Sequence, residues 1–207
     1  MSGPPEREES DMSDVTMRKK KVSDSRTEQV YIIRSQHINS YGRLFGGYLM
    51  QWMDEIAGVV ARRHCETTIT TASVDNLSFR HPAFQDDMVV LVGQVTYTGR
   101  TSMEICIRAY VEDYDKMRIC INKAYFVMVS IDRDGTPLEV PQLELVTDEE
   151  RAEWESGRRR YELWKQRRIE GFSGGSGSGQ NSRSARRCSR APSRPDSRGR
   201  PRPACSR

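Results

Sequence analysis

The sequence is poor in the residues that build metal centres. It holds five cysteines and three histidines in 207 residues, and none of them has the close spacing of a zinc or iron–sulfur motif. We therefore expect no metal ion, and the odd, scattered set of thiols favours a reducing compartment. The residues concerned are Cys65, Cys106, Cys120, Cys188, Cys205, His37, His64 and His81.

Long apolar runs are missing too. No stretch approaches the roughly 20 apolar residues that a membrane-spanning helix needs, so we expect no membrane contact. The N-terminus, beginning Met1–Glu6, lacks the apolar core of a secretory signal and is acidic rather than arginine-rich, so neither a secretory leader nor a transit peptide is expected. These absences favour a cytoplasmic protein.

Positive charge is scarce outside the C-terminal end of the chain. Residues 171–207 hold nine arginines and one acidic residue, a net +8, so residues 1–170 carry a net −4. A mildly acidic body does not indicate nucleic-acid binding, and the Arg-rich stretch lacks the aromatic side chains that stack on bases. Composition predicts disordered tails over residues 1–25 and 171–207.

What the chain does contain is a strongly apolar stretch over residues 42–61, in which a glycine-rich turn leads into a helix. The spacing predicts a helix of about five turns, buried because apolar or small residues cover most of its circumference. One face holds Leu49, Met53, Ile56 and Val60; a face of mostly small residues holds Gly47, Met50, Asp54, Ala57, Gly58 and Ala61; a mixed side holds Trp52, Glu55, Arg62 and Arg63.

Two features of this helix indicate chemistry. Asp54 is a carboxylate in mid-helix on the small face, where it must be paired or functional. Gly46 and Gly47 stand where the helix begins, and the first amides of a helix can bind an anion or polarise a carbonyl group. The alternative is a core helix whose aspartate is simply bonded to a neighbour.

The spacing of these two features predicts an oligomer. Asp54 follows Gly47 by seven residues, which puts it at nearly the same angular position but roughly 10 Å further along the helix axis. One helix therefore cannot bring both to one carbonyl carbon, whereas two antiparallel helices related by a two-fold axis would. We expect a dimer with active sites shared between its subunits.

Strand-like segments around the helix predict an α+β fold. A short β-prone run, Val30–Ile33, precedes the helix, and four segments separated by turn residues follow it. We expect these four to form a meander, giving an antiparallel sheet wrapped around the helix. The four segments are Ile69–Phe79, Met88–Thr98, Ser102–Val111 and Ile119–Ile131.

A charged helix is predicted after the sheet. Thr147 and Glu150 form a capping box, and the helix continues to about Ile169. Gly157 lies inside it and costs roughly 1 kcal/mol of helix stability relative to alanine. A break in the helix is therefore expected at Gly157.

The motifs along the chain resemble those of the hotdog-fold acyl-CoA thioesterases, above all the cytosolic (brain) acyl-CoA hydrolase and its single-domain bacterial relatives. The likeness covers residues 27–170 and implies a hotdog domain over 26–146 followed by the charged helix over 147–170. The residues that carry it are Asn39, Gly42, Phe45–Gly47, Met53–Gly58, Ala61–Cys65, Thr71–Asp75, Ser102–Ile105, Val140–Leu143 and Arg160–Tyr161.

The resemblance implies an enzyme that hydrolyses fatty acyl-CoA to free fatty acid and CoA, without any cofactor besides its substrate. In the family, an aspartate on the central helix and an asparagine on the preceding loop act together from opposite domains. The matching positions are Asp54 and Asn39. CoA is bound near the turn that matches Gly99–Ser102, so the residues assigned to CoA are Gly46, Arg100, Thr101 and Ser102.

Two departures from the family pattern matter. The mammalian enzyme joins two hotdog domains in one chain, whereas this chain has one, so a homodimer is the smallest unit that supplies both halves. A hexamer built as a trimer of dimers is the assembly the resemblance implies. The family usually has Gly-Asp before the third strand, where this chain has Gln85–Asp87, which affects the turn rather than the chemistry.

Thioester hydrolysis suits these residues, because the leaving thiol has a reference pKa of about 8.5 and departs as a thiolate without a catalytic histidine. Asp54 is expected to activate water, or to attack directly through an anhydride. The Gly47 amide is expected to polarise the thioester oxygen, and Asn39 to orient the water or the carbonyl group. The acyl-chain length is not fixed by the sequence.

Two other functions compete with this interpretation. A hotdog hydratase or dehydratase brings a loop histidine to its site, and His37 lies in the right loop, although the rest of that signature is missing. The second alternative is a non-enzymatic acyl-CoA-binding or RNA-associated protein that acts through its basic tail.

Overall fold

The computed structural model describes residues 19–173 of the chain. Seven strands and three α-helices make up this part, with a short 3-10 turn at Ser35–His37. In chain order they are β1 (Lys19–Lys21), α1 (Val22–Ser25), β2 (Thr27–Ile32), α2 (Gly46–Cys65), β3 (Thr68–Phe79), β4 (Met88–Thr98), β5 (Ser102–Glu112), β6 (Arg118–Ile131), β7 (Gln142–Glu144) and α3 (Asp148–Ser173).

A five-stranded antiparallel sheet packs around α2. Its strand order is β2-β4-β5-β6-β3, and α2 contacts all five strands. Alternate residues of β5 and β6 point at the helix, as the period of two requires, and these inward side chains form one core with the apolar face of α2. The predicted α+β fold, an antiparallel sheet around one long helix, is confirmed.

The predicted four-stranded meander is wrong in one respect. β4, β5 and β6 are consecutive neighbours, but β3 pairs with β6 and not with β4. The connection over residues 80–87 explains this, because it crosses the end of the sheet rather than turning back: the Leu44 amide donates to Ala83 O at 2.8 Å, and the Ile33 amide donates to Asp87 O at 3.0 Å. β3 is therefore an edge strand.

One side of α2 is more buried than the sequence pattern predicts. Leu49, Met53, Ile56 and Val60 are buried as expected. Trp52, assigned to the mixed side, is also buried, because its ring stacks on Tyr31 of β2 with 4.5 Å between ring centroids. The edge strand β2 thus covers a part of the helix that the sequence pattern leaves open.

The N-terminal segment is ordered further than predicted. Residues 19–25, placed in a disordered tail by composition, form β1 and α1, and β1 pairs in parallel with β7. The Lys20 ammonium donates to Arg63 O at 2.9 Å and to a Glu66 carboxylate oxygen at 2.6 Å, which satisfies a carbonyl group at the end of α2. The rest of the two predicted tails, residues 1–18 and 174–207, lies outside the described residues, and with it the proposed RNA-binding function of the basic tail.

The predicted C-terminal helix is confirmed, but α3 runs through Gly157 without a break. A Cβ atom at this position would lie 2.7 Å from Tyr97 Cβ and 2.9 Å from Glu104 Oε1. The glycine therefore serves close packing: it lets α3 approach the face of the sheet opposite α2. Tertiary packing outweighs the local cost of glycine in a helix.

A buried ion pair holds α3 against this face. The Glu104 carboxylate accepts two hydrogen bonds from Arg160, both 2.8 Å, and one from Thr96 Oγ1 at 2.6 Å. The Arg160 guanidinium lies 3.7 Å from the centroid of the Tyr125 ring. Burial raises the pKa of Tyr125 far above its ordinary value, so its hydroxyl stays protonated and donates to Glu153 at 2.9 Å. Each charge has a partner, as buried ion pairs require.

Gly157→Ala should lower the free energy of unfolding by about 1–2 kcal/mol, because overpacking outweighs the better helix propensity of alanine. Urea unfolding of both proteins measures this difference. Ala152→Gly, at an exposed position of the same helix, is the matched control for propensity alone. A Gly157→Ala protein more stable than the wild type would show that the contact with Tyr97 is not tight.

Candidate active site

The first turn of α2 presents two glycine amides. The amides of Gly46 and Gly47 have no hydrogen-bond acceptor among the described residues, whereas the Tyr48 amide donates to Phe45 O at 3.0 Å. Aromatic rings lie against both glycines: a Cβ on Gly46 would come within 3.0 Å of the Phe79 ring, and one on Gly47 would overlap the Phe45 ring. Unpaired first-turn amides at the positive end of a helix suit a developing oxyanion.

Asp54 shares a groove with Gly47. The groove has a volume of about 360 Å³ and is also lined by Met50, Gln51, Val74 and Phe126. The Asp54 side chain is exposed in the single chain, and its Oδ1 accepts a hydrogen bond from Thr71 Oγ1 at 2.8 Å. Only one carboxylate oxygen is thus engaged, which leaves the other available for a water molecule or a substrate.

Thr71 is a candidate site residue that reasoning from the sequence did not assign. It lies on β3, where a register shift follows it in the pairing with β6, and its hydroxyl fixes the orientation of Asp54. A threonine in a β-prone run is an ordinary strand residue. Its place opposite Asp54 follows only from the packing of β3 against α2.

Asn39 lies in a different cavity from Asp54. Its Oδ1 accepts hydrogen bonds from the amides of Tyr41 and Arg43, at 3.0 and 3.2 Å, so it closes the loop before α2. Its Nδ2 has no partner among residues 19–167. Asn39 and Gly46 line a cleft of about 390 Å³ beside the start of α2. A single chain therefore does not bring Asn39 and Asp54 into one cavity.

His37 holds this loop in place. Its Nδ1 accepts a hydrogen bond from the Arg34 amide at 3.0 Å, and its carbonyl oxygen accepts one from the Phe45 amide at 2.8 Å. Its ring meets the Trp52 ring edge-on, with 5.0 Å between centroids. Because the ring is used in these contacts, the geometry does not favour His37 as the catalytic base of a hydratase.

The Gly99–Ser102 turn, to which CoA binding was assigned, is tight. The Gly99 amide donates to Ser102 O at 2.8 Å, and the Ser102 side chain is buried. Arg100 is 79% exposed and lies 3.5 Å from the Glu139 carboxylate. An exposed ion pair of this kind contributes little to stability, so Arg100 can exchange partners. A cavity of about 470 Å³ adjoins the turn and is lined in part by Tyr97 and Trp154.

The buried thiols and the buried histidine of the described part of the chain do not suit catalysis. Burial raises the pKa of the Cys106 thiol to about 11 and raises that of Cys65, so both thiols stay protonated. His64 is buried, and burial lowers its pKa. Within residues 19–167 no three His, Cys, Asp or Glu side chains cluster as metal ligands would, and no helix described here is long and apolar enough to cross a membrane.

Comparison with known proteins gives one consistent result. Residues 41–117 match the family described as the thioesterase superfamily. The chain is 35% identical over 150 residues to the cytosolic acyl coenzyme A thioester hydrolase of Rattus norvegicus, covering 71% of this chain and 39% of that protein. It thus spans about two fifths of the length of this mammalian relative.

The solved structures that this chain resembles are acyl-CoA hydrolases and thioesterases as well. An acyl-CoA hydrolase from Staphylococcus aureus, solved in complex with butyryl coenzyme A and coenzyme A, is 30% identical with a TM-score of 0.71, over 75% of this chain and 95% of that one. A hexameric acyl-CoA thioesterase is 35% identical with a TM-score of 0.70, over 73% and 97%.

The Staphylococcus aureus enzyme has also been solved with one asparagine, one aspartate or one threonine replaced by alanine. In that chain the aspartate follows the asparagine by 15 residues, and the threonine follows the aspartate by 17. Asn39, Asp54 and Thr71 have the same two spacings here.

Proposed function

We propose, on the premise that this chain belongs to the thioesterase superfamily, that it hydrolyses fatty acyl-CoA to free fatty acid and CoA. The observation that carries the proposal is the groove of α2, which is lined by both Gly47 and Asp54, so that an antiparallel second copy of α2 would set the Gly47 amide of one chain opposite the Asp54 carboxylate of the other. A carbonyl polariser and a base are the two groups that thioester hydrolysis needs. No further cofactor is required.

The reaction needs little help for its leaving group. The first-turn amide of α2 stabilises the negative charge that develops on the thioester oxygen. Asp54 takes a proton from the water as the water oxygen bonds to the carbonyl carbon. The tetrahedral adduct then loses its carbon–sulfur bond, and the sulfur leaves as a thiolate, since thiols have a reference pKa of about 8.5. Direct attack of Asp54 on the carbonyl carbon, with an anhydride intermediate, is the other chemistry open to this residue.

Thr71 positions the base. Its hydroxyl donates to one oxygen of Asp54 at 2.8 Å, which directs the other oxygen towards the groove. The spacings that Asn39, Asp54 and Thr71 share with the residues replaced in the Staphylococcus aureus enzyme support the assignment of all three to the active site.

The active site is shared between two subunits in this proposal. Asn39 and Asp54 line separate cavities in one chain, and the rise of a helix separates Gly47 from Asp54 by roughly 10 Å. An antiparallel second copy of α2 would place Asp54 of the partner subunit near Asn39 and Gly47. The edge strand β3 supplies a further surface for a second copy, because only β6 pairs with it in the described chain.

A larger assembly and a cellular location follow by analogy. The homodimer is the smallest complete unit, and we assign the protein a hexamer made of three such dimers because a relative of 35% identity is hexameric. A cytoplasmic location is proposed because the mammalian relative is cytosolic.

The direct test is release of free thiol from a series of acyl-CoA chain lengths. We expect hydrolysis at a rate roughly 10⁶-fold or more above the uncatalysed reaction for the preferred length, the lower bound of ordinary enzymes. A CoA thioether of the same chain length, which has no scissile thioester bond, is the control for non-specific thiol release. Failure to release thiol at every chain length would contradict the proposed activity.

A further inference from the structure

Asn122 is a buried amide without hydrogen-bond partners. It lies on β6 with none of its surface exposed, and neither its Oδ1 nor its Nδ2 has a partner among residues 19–167. Single buried atoms of Ser25, His64 and Ser73 are also unpaired there, but Asn122 is the one among these side chains with two unpaired polar atoms. Burial of an amide without hydrogen bonds costs stability. Proteins rarely keep such a group without a reason, so its surroundings are informative.

The side chain of Asn122 faces α2. In the sheet it pairs with Ala109 of β5 and Phe79 of β3, and directly paired residues of neighbouring strands share a face. Ala109 belongs to the core around α2. Lys123, the next residue of β6, points to the opposite face, where its ammonium lies 3.9 Å from a Glu153 carboxylate oxygen of α3. The amide is therefore held between the sheet and α2.

A β-bulge places Asn122 beside the cleft at the start of α2. The register of β5 and β6 shifts between Ala109 and Tyr110, which leaves Ile121 as the extra residue of the bulge. Ile121 and Phe79 both line the cleft, and Asn122 adjoins the first in sequence and the second by strand pairing. Bulges are common next to active sites, where they redirect a side chain. The amide is thus one residue away from the cleft on two sides.

A buried water molecule does not account for this amide. Such a water needs about two to four polar partners. The side chains beside Asn122 on the face towards α2 are those of Ala109, Phe79 and Ala124, and all three are apolar. Among these neighbours a water would find only Asn122 to bond, whereas a ligand can carry a polar group on an apolar chain that the same neighbours bury.

We propose that Asn122 forms a hydrogen bond with an oxygen atom on the acyl chain, so that the protein prefers acyl-CoA with a keto or hydroxyl group on the chain to plain acyl-CoA of the same length. The inference rests on the proposed function and deepens it by naming the substrate class. In that proposal the thioester lies at the start of α2, so its acyl chain has the cleft of Asn39 beside it. The Phe79 ring, which is 57% exposed and lies against Gly46, turns aside to admit the chain.

The preference follows from the state of the amide before substrate binds. Asn122 is already out of contact with water, so a hydrogen bond formed there is not offset by the loss of water from this side chain. A plain chain would leave the amide unpaired. This is the reason why a site built to bond a polar group rejects an apolar analogue.

The test compares pairs of non-hydrolysable CoA thioethers by titration calorimetry, which does not depend on hydrolysis. One member of each pair has a plain octyl chain, and the other carries a keto group at a single carbon, moved outwards from the fifth carbon after the sulfur. At the carbon that meets Asn122, the keto ligand should bind about tenfold more tightly than the plain one. At the other carbons it should bind no better, because a keto group that enters an apolar pocket loses water without gaining a partner.

Variants of Asn122 test whether this residue causes the preference. Asn122→Leu should abolish it and raise the melting temperature, because an apolar side chain with the same branching replaces an amide without partners. Asn122→Ala should also abolish it and cannot overpack the site, which keeps the test valid if leucine does not fit.

Thr96→Val is the matched control. Thr96 is also a buried strand residue, but its hydroxyl donates to the Glu104 carboxylate beneath α3 at 2.6 Å. Loss of this bond should lower the melting temperature and leave the preference unchanged.

Steady-state kinetics show whether the contact serves the reaction. The keto acyl-CoA that matches the tightest thioether should have a kcat/KM about tenfold above that of octanoyl-CoA in the wild type. In Asn122→Leu the two substrates should have nearly equal values.

Equal binding of plain and keto ligands at every position would overturn the proposal, as would a preference that survives in both Asn122 variants. A lower melting temperature in both variants with an unchanged preference would show that the amide serves the fold alone. If keto ligands bound more tightly through Asn122 while the wild-type protein released no thiol from any acyl-CoA, the proposed function would fail and the binding preference would stand.

Discussion

Replacing Asp54 with asparagine should lower kcat for acyl-CoA hydrolysis at least hundredfold, the usual contribution of a positioned base. Asparagine has nearly the same shape and can still accept the hydrogen bond from Thr71, so the side chain stays in place. It cannot take a proton from water. Because Asp54 is exposed in the chain, the melting temperature should remain close to that of the wild type. Steady-state kinetics at saturating acyl-CoA, with thermal unfolding alongside, measure both effects.

Glu55→Gln is the matched control for this substitution. Glu55 is the next residue of α2, is also exposed, and accepts hydrogen bonds from Gln51 at 2.9 Å and from Tyr31 at 3.4 Å. The substitution Glu55→Gln removes one negative charge, as Asp54→Asn does, but Glu55 does not line the groove of α2. The kcat of the Glu55→Gln protein should therefore stay near the wild-type value. A folded Asp54→Asn protein with near-normal turnover would rule out Asp54 as base and as nucleophile.

Mixed dimers of two inactive variants should recover activity. Asn39→Ala and Asp54→Asn homodimers each carry one lesion in every site, so both should be nearly inactive. When they are unfolded and refolded together, half of the dimers formed at random are heterodimers, and each of these has one intact site and one doubly damaged site. The mixture should therefore reach about one quarter of wild-type activity if each site takes one residue from each subunit of a symmetric dimer. The rate of thiol release from acyl-CoA after refolding is the measurement.

The design distinguishes a shared site from a local one. If both residues came from one subunit, every site in a heterodimer would keep one lesion and the mixture would be as inactive as its parents. The matched control is Asp54→Asn refolded with Thr71→Val, because the Asp54 and Thr71 side chains are hydrogen-bonded within one chain. Every site of such a heterodimer keeps one lesion, so this mixture should show only the mean of the two parent activities. Asn39→Asp, which keeps the Oδ1 acceptor for the loop amides, guards against loss of activity through a disordered loop.

Local patterns in the sequence predict most elements of the fold but not the order of the sheet. The period of α2 and the alternation in β5 and β6 depend on neighbours along the chain, and those elements form where expected. The position of β3 beside β6 depends on how residues 80–87 cross the sheet, which no local pattern encodes. Trp52 and Gly157 illustrate the same point. Trp52 is buried because it stacks on Tyr31, and a glycine is needed at position 157 because Tyr97 and Glu104 lie so close to it.

Some residues of the candidate site could likewise be predicted from the sequence, and others could not. Asp54, Gly46 and Gly47 could be found because an acid and two glycines are conspicuous in an apolar helix. Thr71 could not, because it is an ordinary strand residue until the fold brings its hydroxyl to Asp54. The assignment of Arg100 came from a resemblance alone, and its pairing with Glu139 is visible only in three dimensions.

The small two-stranded sheet at the edge of the domain has a consequence for how the chain folds. In it Lys19 pairs with Gln142, so nearly the whole domain lies between the two partners in sequence. Closing so long a loop costs entropy that few contacts repay until the intervening chain is already compact. We therefore expect the pair to form after the rate-limiting step, so that removing its contacts would speed unfolding and leave the folding rate nearly unchanged. Lys20 of β1 donates to Arg63 O at the end of α2. We therefore expect the β1–β7 pair to slow the unfolding of the helix that carries the candidate site.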